Sequence, residues 1–173
     1  NEYFGGGMNS IVFQEIREAQ GLAYAVFSNY SQASRADRSD YLYSYIGVQS
    51  DKQKEALSSM FSLINNLPES PQAFDVAKQS ILNKIESERI TNSSILTYYL
   101  DAEKRKIDYD IREKIYEEVK NMNFENLLSF HKSYVKNKSH NILLIGNKEN
   151  IDFKNLRKYG KVVEVSLETL FGY

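Results

Sequence analysis

Cysteine is absent from this chain, which excludes disulfide bonds, thiolate metal sites and a cysteine nucleophile. Long apolar runs are absent too: none approaches the roughly 20 residues that cross a bilayer, so we expect no membrane span. An excess of one charge sign is also missing, because 22 basic and 23 acidic residues give a formal net charge of −1. The basic residues are scattered along the chain, and nucleic acid is therefore not expected as a partner.

What is present is the composition of a folded globular domain. Of the 173 residues, 42% are hydrophobic and 26% are charged, which is ordinary for such a domain. This length is sufficient to bury a real core, and the sequence contains no repeat, low-complexity tract or long linker. We therefore expect residues 1–173 to form a single domain.

The first third of the chain predicts a helix followed by two strands. Apolar residues recur at helical spacing from Met8 to Gln20, and Gly21 stands where a helix C-cap is expected. Residues 22–31 and 41–49 are typical of strands, and the polar link between them predicts a hairpin loop. Three tyrosines of the second run are expected on one face: Tyr41, Tyr43 and Tyr45.

Helices are predicted for most of the remainder, and two short strands for the end. Pro68 is expected to end one helix and Ser70-Pro71 to begin the next, while Asp110 has the position of a further N-cap. The apolar run at residues 141–146 predicts a buried strand, and the valines at 162–165 predict a last one. This order is typical of an α+β fold, in which helices pack on one face of a mainly antiparallel sheet.

Metal-ligand motifs are not found in the sequence. His131 and His140 lie on different predicted elements, and neither belongs to a His-x-x-Glu-His or His-Glu-x-x-His frame. We interpret both as structural histidines and expect no metal to be bound by this chain alone. A serine-nucleophile elbow and a phosphate-binding loop are equally missing, and the glycine run at residues 5–7 is interpreted as a hinge or a tight-packing element.

One segment carries polar groups on both sides of a predicted turn. Residues 15–24 are Glu-Ile-Arg-Glu-Ala-Gln-Gly-Leu-Ala-Tyr, which predicts a helix end, a glycine turn and the start of a strand. Folding back at Gly21 would place Arg17 and Tyr24 at the sheet edge, where both side chains can donate hydrogen bonds to a substrate carbonyl. A purely structural interpretation stays open, because an arginine suits the negative end of a helix dipole and Tyr24 could lie on a core face of its strand.

The same segment resembles the insulinase/pitrilysin family of zinc metallopeptidases, the inverzincins. The stretches that carry the resemblance are Tyr-Phe-Gly-Gly-Gly-Met-Asn-Ser at residues 3–10, Phe-Gln-Glu-Ile-Arg-Glu at 13–18 and Gly-Leu-Ala-Tyr at 21–24. The paired helices, the run Ile-Leu-Leu-Ile-Gly at 142–146 and the terminus at 167–173 resemble the end of such a unit. The resemblance therefore spans essentially the whole chain.

This resemblance implies one half of a two-lobed enzyme. Family members pair homologous α+β halves around an extended peptide; one half carries the His-x-x-Glu-His zinc motif, and the inactive half contributes an Arg and a Tyr near the scissile carbonyl. Arg17 and Tyr24 match those two positions, so we expect them to bind substrate, with no catalytic residue in this chain and zinc in the partner half. The family unit has strands before its Gly-rich helix, so we expect this chain to lack the first strands of the C-terminal, inactive half.

The leading hypothesis is the non-catalytic, substrate-binding half of a zinc-dependent metalloendopeptidase. Its expected partners are the catalytic N-terminal half, in the same protein or a partner chain, and a peptide whose tetrahedral intermediate the chain helps to stabilise. The alternatives are a catalytically inactive structural or assembly subunit of the same family and a plain peptide-binding domain. An unpaired sheet edge would permit a homodimer. A bacterial protein of the periplasm or cytoplasm is expected, although the sequence fixes neither compartment.

Overall fold

The computed structural model describes residues 1–35 and 37–172, in which a short helix and a β-hairpin are followed by helices. The first part consists of a π-helix at Phe13–Ala19 and the strands β1 (Ala23–Ser31) and β2 (Tyr41–Val48). The helices that follow are α1 (Gln53–Asn65), α2 (Pro71–Ser87), α3 (Asn92–Arg105), α4 (Ile111–Asn121), α5 (Phe124–Phe130), α6 (Phe153–Leu156) and α7 (Leu167–Phe171). A second π-helix, His131–Val135, continues α5, and 3₁₀ turns lie at Ser50–Lys52 and Lys148–Asn150.

The two strands form an antiparallel hairpin with one buried and one open face. Phe27 lies opposite Tyr45 on the open face. Val26 and Ser28 point inward and are buried, and the Ser28 hydroxyl lies 2.8 Å from the hydroxyl of Ser44 on β2. The hairpin therefore covers the core with one side only, as antiparallel sheets commonly do.

The N-terminal segment runs along the edge of β1 that faces away from β2. The carbonyl of Gly5 accepts a hydrogen bond from the Ser28 N–H at 3.2 Å. The Asn1 side chain donates to the backbone carbonyl of Tyr30 at 3.0 Å and accepts from its N–H at 2.6 Å. A Cβ on Gly5 would lie only 2.3 Å from the Ser28 carbonyl oxygen, so a side chain does not fit here. The tight-packing interpretation of the glycine run is confirmed at Gly5.

The core lies between the hairpin, the first π-helix, α1 and α2. Val12 and Ile16 are fully buried at its centre. Tyr3 ties the N-terminal segment to it, because its hydroxyl donates to the Pro68 carbonyl at 2.6 Å and its ring packs edge-on against Phe74. The remaining buried members of the cluster are Ile11, Ala23, Val26, Met60, Leu63 and Ala77.

Two helix starts follow the local sequence signals. Pro71 is the first residue of α2, and the Ser70 hydroxyl accepts a hydrogen bond from the Ala73 N–H at 3.3 Å. Asp110 caps α4 by accepting from the Arg112 N–H at 3.0 Å. Both predicted starts are confirmed, because a cap depends only on residues within one turn of it.

The first helix departs from its predicted form. Helical turns begin at Ile11, whereas Met8 is 73% exposed and lies outside them. Met8 shares the apolar spacing of the helix. The backbone around it is not helical, however, because the Ile11 N–H donates to the distant carbonyl of Tyr3 at 3.0 Å. The predicted start at Met8 is therefore wrong.

The two strands predicted near the end of the chain are also wrong. Residues 141–146 and 162–165 belong to no strand pair within the part of the chain that the structure describes. Leu143 and Ile145 are 87% and 91% exposed. An apolar run becomes a strand only where a neighbouring strand takes up its backbone N–H and C=O groups, and the described residues place no such neighbour beside these runs.

The α+β class is confirmed. Helices pack on the inner side of an antiparallel sheet, whose two strands in the described residues are β1 and β2. Of the helices in residues 1–35 and 37–172, none is both long enough and apolar enough to cross a membrane.

Candidate functional site

A left-handed turn at Gly21 joins the first π-helix to β1. Gly21 has a φ of +59°, which favours glycine. Its N–H donates to the Arg17 carbonyl at 3.1 Å, and the Leu22 N–H donates to the Ile16 carbonyl at 3.0 Å. These bonds satisfy carbonyls that the helix end would otherwise leave unpaired. The predicted glycine C-cap is confirmed, and it fixes how β1 leaves the helix.

The helix before the turn has π-type winding. The Gln20 N–H donates to the carbonyl of Glu15, five residues back, at 3.2 Å. Ile16 is wholly buried, whereas Arg17 lies on the surface. Such winding is rare in proteins, and where it occurs it often lies at a functional site. Here it occurs in the segment that carries Arg17.

Arg17 is half-exposed and held by two contacts. Its guanidinium carbon lies 4.8 Å from the centre of the Phe13 ring, and its Nε lies 3.8 Å from the Glu18 carboxylate. Each contact is exposed and contributes about 1 kcal/mol or less to stability. Among the residues that the structure describes, none accepts a hydrogen bond from this guanidinium. Its N–H groups therefore remain available to a ligand.

Tyr24 is the extra residue of a β-bulge. Between Ala23 and Ala25, β1 contains one residue more than β2, which leaves Tyr24 without an opposite residue. Ala23 and Val26 are both buried, while Tyr24 is 89% exposed. The possibility that Tyr24 lies in the core is therefore wrong, because the bulge interrupts the strict alternation on which that possibility depended.

The structure places Arg17 and Tyr24 on the surface on either side of the Gly21 turn. Within the described residues, no hydrogen bond or ring contact joins the two side chains, and the Arg17 guanidinium packs on Phe13 instead. Their convergence on one peptide group stays a prediction. What the fold supplies is a short connection between them, held by the backbone hydrogen bonds of the Gly21 turn.

A shallow groove of about 390 Å³ lies beside this turn. Gln20 and Leu22, which flank Gly21, form one wall, and the first turns of α1 form the other. The Ser59 hydroxyl of α1 donates to the Gln20 side-chain oxygen at 2.7 Å and fixes the spacing of the two walls. The wall of the groove that α1 forms consists of Lys54, Glu55, Ser58 and Ser59. The groove offers charged and hydroxyl groups next to the strand that carries Tyr24.

The open face of the hairpin carries an aromatic cluster. The Phe27 ring centre lies 5.4 Å from the ring centre of Tyr43 and 5.4 Å from that of Tyr45. Tyr41 continues the same face and is 60% exposed. The predicted shared face of the three tyrosines is confirmed. The contribution of Phe27 was missed, although its place in an alternating strand was the available signal.

The two histidines make structural contacts. His131 is buried, and its Nε2 lies 2.7 Å from the Ile64 carbonyl, to which it must donate. The His140 ring lies 4.4 Å from the ring of Phe61. In the described part of the chain, no three His, Cys, Asp or Glu side chains are grouped so that they could hold a metal ion. The described residues therefore do not fit a zinc site of their own.

Comparison with protein families gives a match over the first part of the chain. Residues 1–81 match the family model described as the Peptidase M16 inactive domain. This range covers a little under half of the chain and contains the Gly21 turn, both candidate residues and the hairpin. Residues 1–81 are thus similar to the inactive domain of M16 peptidases. Comparison with curated proteins gives no match.

Proposed function

We propose that this chain is the substrate-binding, non-catalytic half of a zinc-dependent metalloendopeptidase that cleaves peptides in a two-lobed chamber. The observation that carries the proposal is the position of Tyr24, 89% exposed on a bulge that directly follows the Arg17 turn. A tyrosine that served only to pack the core would point inward, as Val26 does. Both residues fall within the range that matches the inactive domain.

Arg17 and Tyr24 act as hydrogen-bond donors in this proposal. A guanidinium and a phenol both donate, and a peptide carbonyl accepts. Donors that face the oxygen where negative charge develops stabilise the transition state more than the bound peptide. In this proposal the zinc ion, which would activate water, is held by the partner half, and this chain supplies no ligand to it. This chain binds and orients the peptide.

The open face of the hairpin supports a peptide as the ligand. The ring cluster of Phe27, Tyr43 and Tyr45 begins a few residues beyond Tyr24 along the same hairpin. Exposed aromatic rings give apolar side chains of a ligand a surface to pack on, while their hydroxyls stay hydrated. An extended peptide that contacts Tyr24 would therefore have apolar contacts available along the hairpin.

The test is a pair of substitutions in the full-length protein together with its catalytic half. Arg17→Ala and Tyr24→Phe each remove a donor, and we expect kcat/KM for a fluorogenic peptide to fall about 10- to 100-fold in each case. Matched controls make the same chemical changes elsewhere on the surface: Arg89→Ala and Tyr99→Phe. Both controls should cleave the peptide at the wild-type rate.

Four outcomes of this test are distinguishable. A lowered kcat at unchanged KM would place the donors at the transition state, whereas a raised KM alone would restrict them to peptide binding. Unchanged kinetics in both site variants would remove Arg17 and Tyr24 from the reaction. Equal losses in the site variants and the controls would indicate a general loss of structure and would contradict the proposal.

A structural or assembly subunit is the second candidate function. The favouring observation is the apolar surface of α3, where Ile95, Leu96 and Leu100 are 55%, 63% and 42% exposed. Exposed apolar groups in one helix are typical of a surface that another protein covers. The sequence of the catalytic half that the peptidase proposal requires, whether in the same protein or in a partner chain, decides between the candidates. A His-x-x-Glu-His motif with peptide cleavage supports the peptidase, and inactivity without that motif supports the scaffold.

A further inference from the structure

A second groove, of about 280 Å³, lies at the opposite end of the hairpin from the Gly21 turn. It lies where the loop between β1 and β2 meets the end of α3 and the start of α4. Its charged lining residues are Arg35, Arg38, Arg105 and Asp40, and the side chains of Ile107 and Ile111 supply an apolar part of the wall. Three arginines thus line one small space.

The carboxylate of Asp40, which lines the groove, already accepts two hydrogen bonds. One oxygen of Asp40 accepts from the Ala33 N–H at 2.9 Å, and the other accepts from the Tyr30 hydroxyl at 3.3 Å. The pKa of Tyr30 is raised, mainly by burial and secondly by the adjacent Asp40 charge. The phenol therefore stays protonated and keeps donating at neutral pH. Asp40 therefore shapes the loop and offsets only one of the three positive charges.

The arginines differ in how far their charge is already compensated. Arg35 forms a two-point ion pair with Asp37, with distances of 3.0 and 3.4 Å. Arg105 donates to the neutral side chain of Gln32 at 3.1 Å. Arg38 has no side-chain partner among the described residues. Arg38 and Arg105 thus have no ion-pair partner among the described residues, and they carry the net positive charge that Asp37 and Asp40 leave at the groove.

We propose that this groove binds the carboxylates of an acidic peptide segment. A guanidinium matches a carboxylate with two parallel N–H···O bonds, and two such groups can hold neighbouring acidic side chains. The apolar wall formed by Ile107 and Ile111 suits the methylene groups of a glutamate side chain, which a bare inorganic anion lacks.

The place of the groove also indicates how such a peptide would lie. Gln32, at its rim, follows Tyr24 by eight residues, so the strand separates the two sites by about 26 Å. An extended peptide of about eight residues spans that distance and would pass the aromatic cluster on the open face. This second step rests on the proposed function, because it takes the bound peptide to be the substrate.

The experiment measures binding rather than cleavage. Fluorescence anisotropy of a labelled oligo-glutamate peptide is recorded with the wild-type chain, Arg38→Ala and Arg105→Ala, and the double variant. Each single variant should weaken binding about tenfold, and the double variant more. Arg89→Ala changes the net charge equally but lies outside the groove, and it should leave the affinity unchanged. Thermal unfolding checks every variant, and Arg38→Ala is decisive if Arg105→Ala fails to fold.

Each of several results would overturn the inference. One is equal weakening by Arg89→Ala, which would indicate attraction by net charge alone. Another is equal affinity for an oligo-glutamine peptide. A third is displacement of the acidic peptide by inorganic phosphate, at matched ionic strength and similar concentration, which would assign the groove to free phosphate. Failure here leaves the Arg17 and Tyr24 kinetics with a neutral peptide unaffected, so the two proposals fail separately.

Discussion

Replacing Gly5 with alanine tests how closely the N-terminal segment packs on β1. The added Cβ would lie 2.3 Å from the Ser28 carbonyl oxygen and 2.5 Å from both its N and its Cβ. None of these atoms can move by a side-chain rotation, so the segment itself must shift. That shift would break the 3.2 Å hydrogen bond between the Gly5 carbonyl and the Ser28 N–H.

The expected change in the free energy of unfolding combines two destabilising effects and one small stabilising effect. Inserting a methyl group into a fully packed site costs about 1–3 kcal/mol. Leaving the Ser28 N–H unpaired costs about 1–3 kcal/mol more. The reduced flexibility of the unfolded chain returns about 0.4–1 kcal/mol. We therefore expect the free energy of unfolding to fall by about 2–4 kcal/mol, or a Tm lower by about 5–15 °C for a chain of this length.

Gly7→Ala is the matched control, because a Cβ on Gly7 would have no neighbour within 4 Å. Its free energy of unfolding should equal that of the wild type or exceed it slightly. Urea denaturation followed by circular dichroism measures all three proteins under identical conditions. If Gly5→Ala and Gly7→Ala unfold within about 0.5 kcal/mol of each other, the close approach of residue 5 to β1 is refuted.

Two further predictions concern polar contacts away from the site. His131→Phe leaves the Ile64 carbonyl without the donor that lies 2.7 Å away. We expect the free energy of unfolding, measured by urea denaturation at neutral pH, to fall by about 1–3 kcal/mol. An unchanged midpoint would show that this hydrogen bond contributes nothing to stability. The Arg112 guanidinium donates to Asp110 and holds the pKa of that carboxyl below its usual value. A lowered folded pKa gives stability that is complete above the unfolded pKa of about 4 and is lost as the pH falls through the folded pKa. The Tm difference between the wild type and Arg112→Met should therefore shrink from about pH 6 to about pH 3, and a constant difference would contradict the ion pair.

The hairpin and the helix caps were predictable from the sequence because their causes are local. Tyr43 and Tyr45 share a face whatever strand lies opposite, since side chains alternate along any strand. Pro71 and Asp110 start their helices through bonds to residues one turn away. The candidate turn was predictable in the same way, because Gly21 needs only its own positive φ to end a helix.

The features that the sequence did not predict depend on distant partners. The bulge at Tyr24 exists only relative to β2, so alternation within β1 left both a core and a surface position open for this tyrosine. The runs at 141–146 and 162–165 have the apolar character of strands, but Ile145 is 91% exposed and has no strand beside it in the described part of the chain. Pairing is a property of two segments, and the composition of one segment does not specify it.

The bulge also releases Tyr24 from the packing requirements that act on the other residues of β1. A side chain within a regular ladder must suit both its cross-strand neighbour and the interior, so few substitutions are tolerated there. Residue 24 stands outside that ladder and points away from the interior, so its chemistry is constrained mainly by whatever approaches from solvent. Ligand preference could thus change at this one position across related proteins while the fold beneath it stays the same.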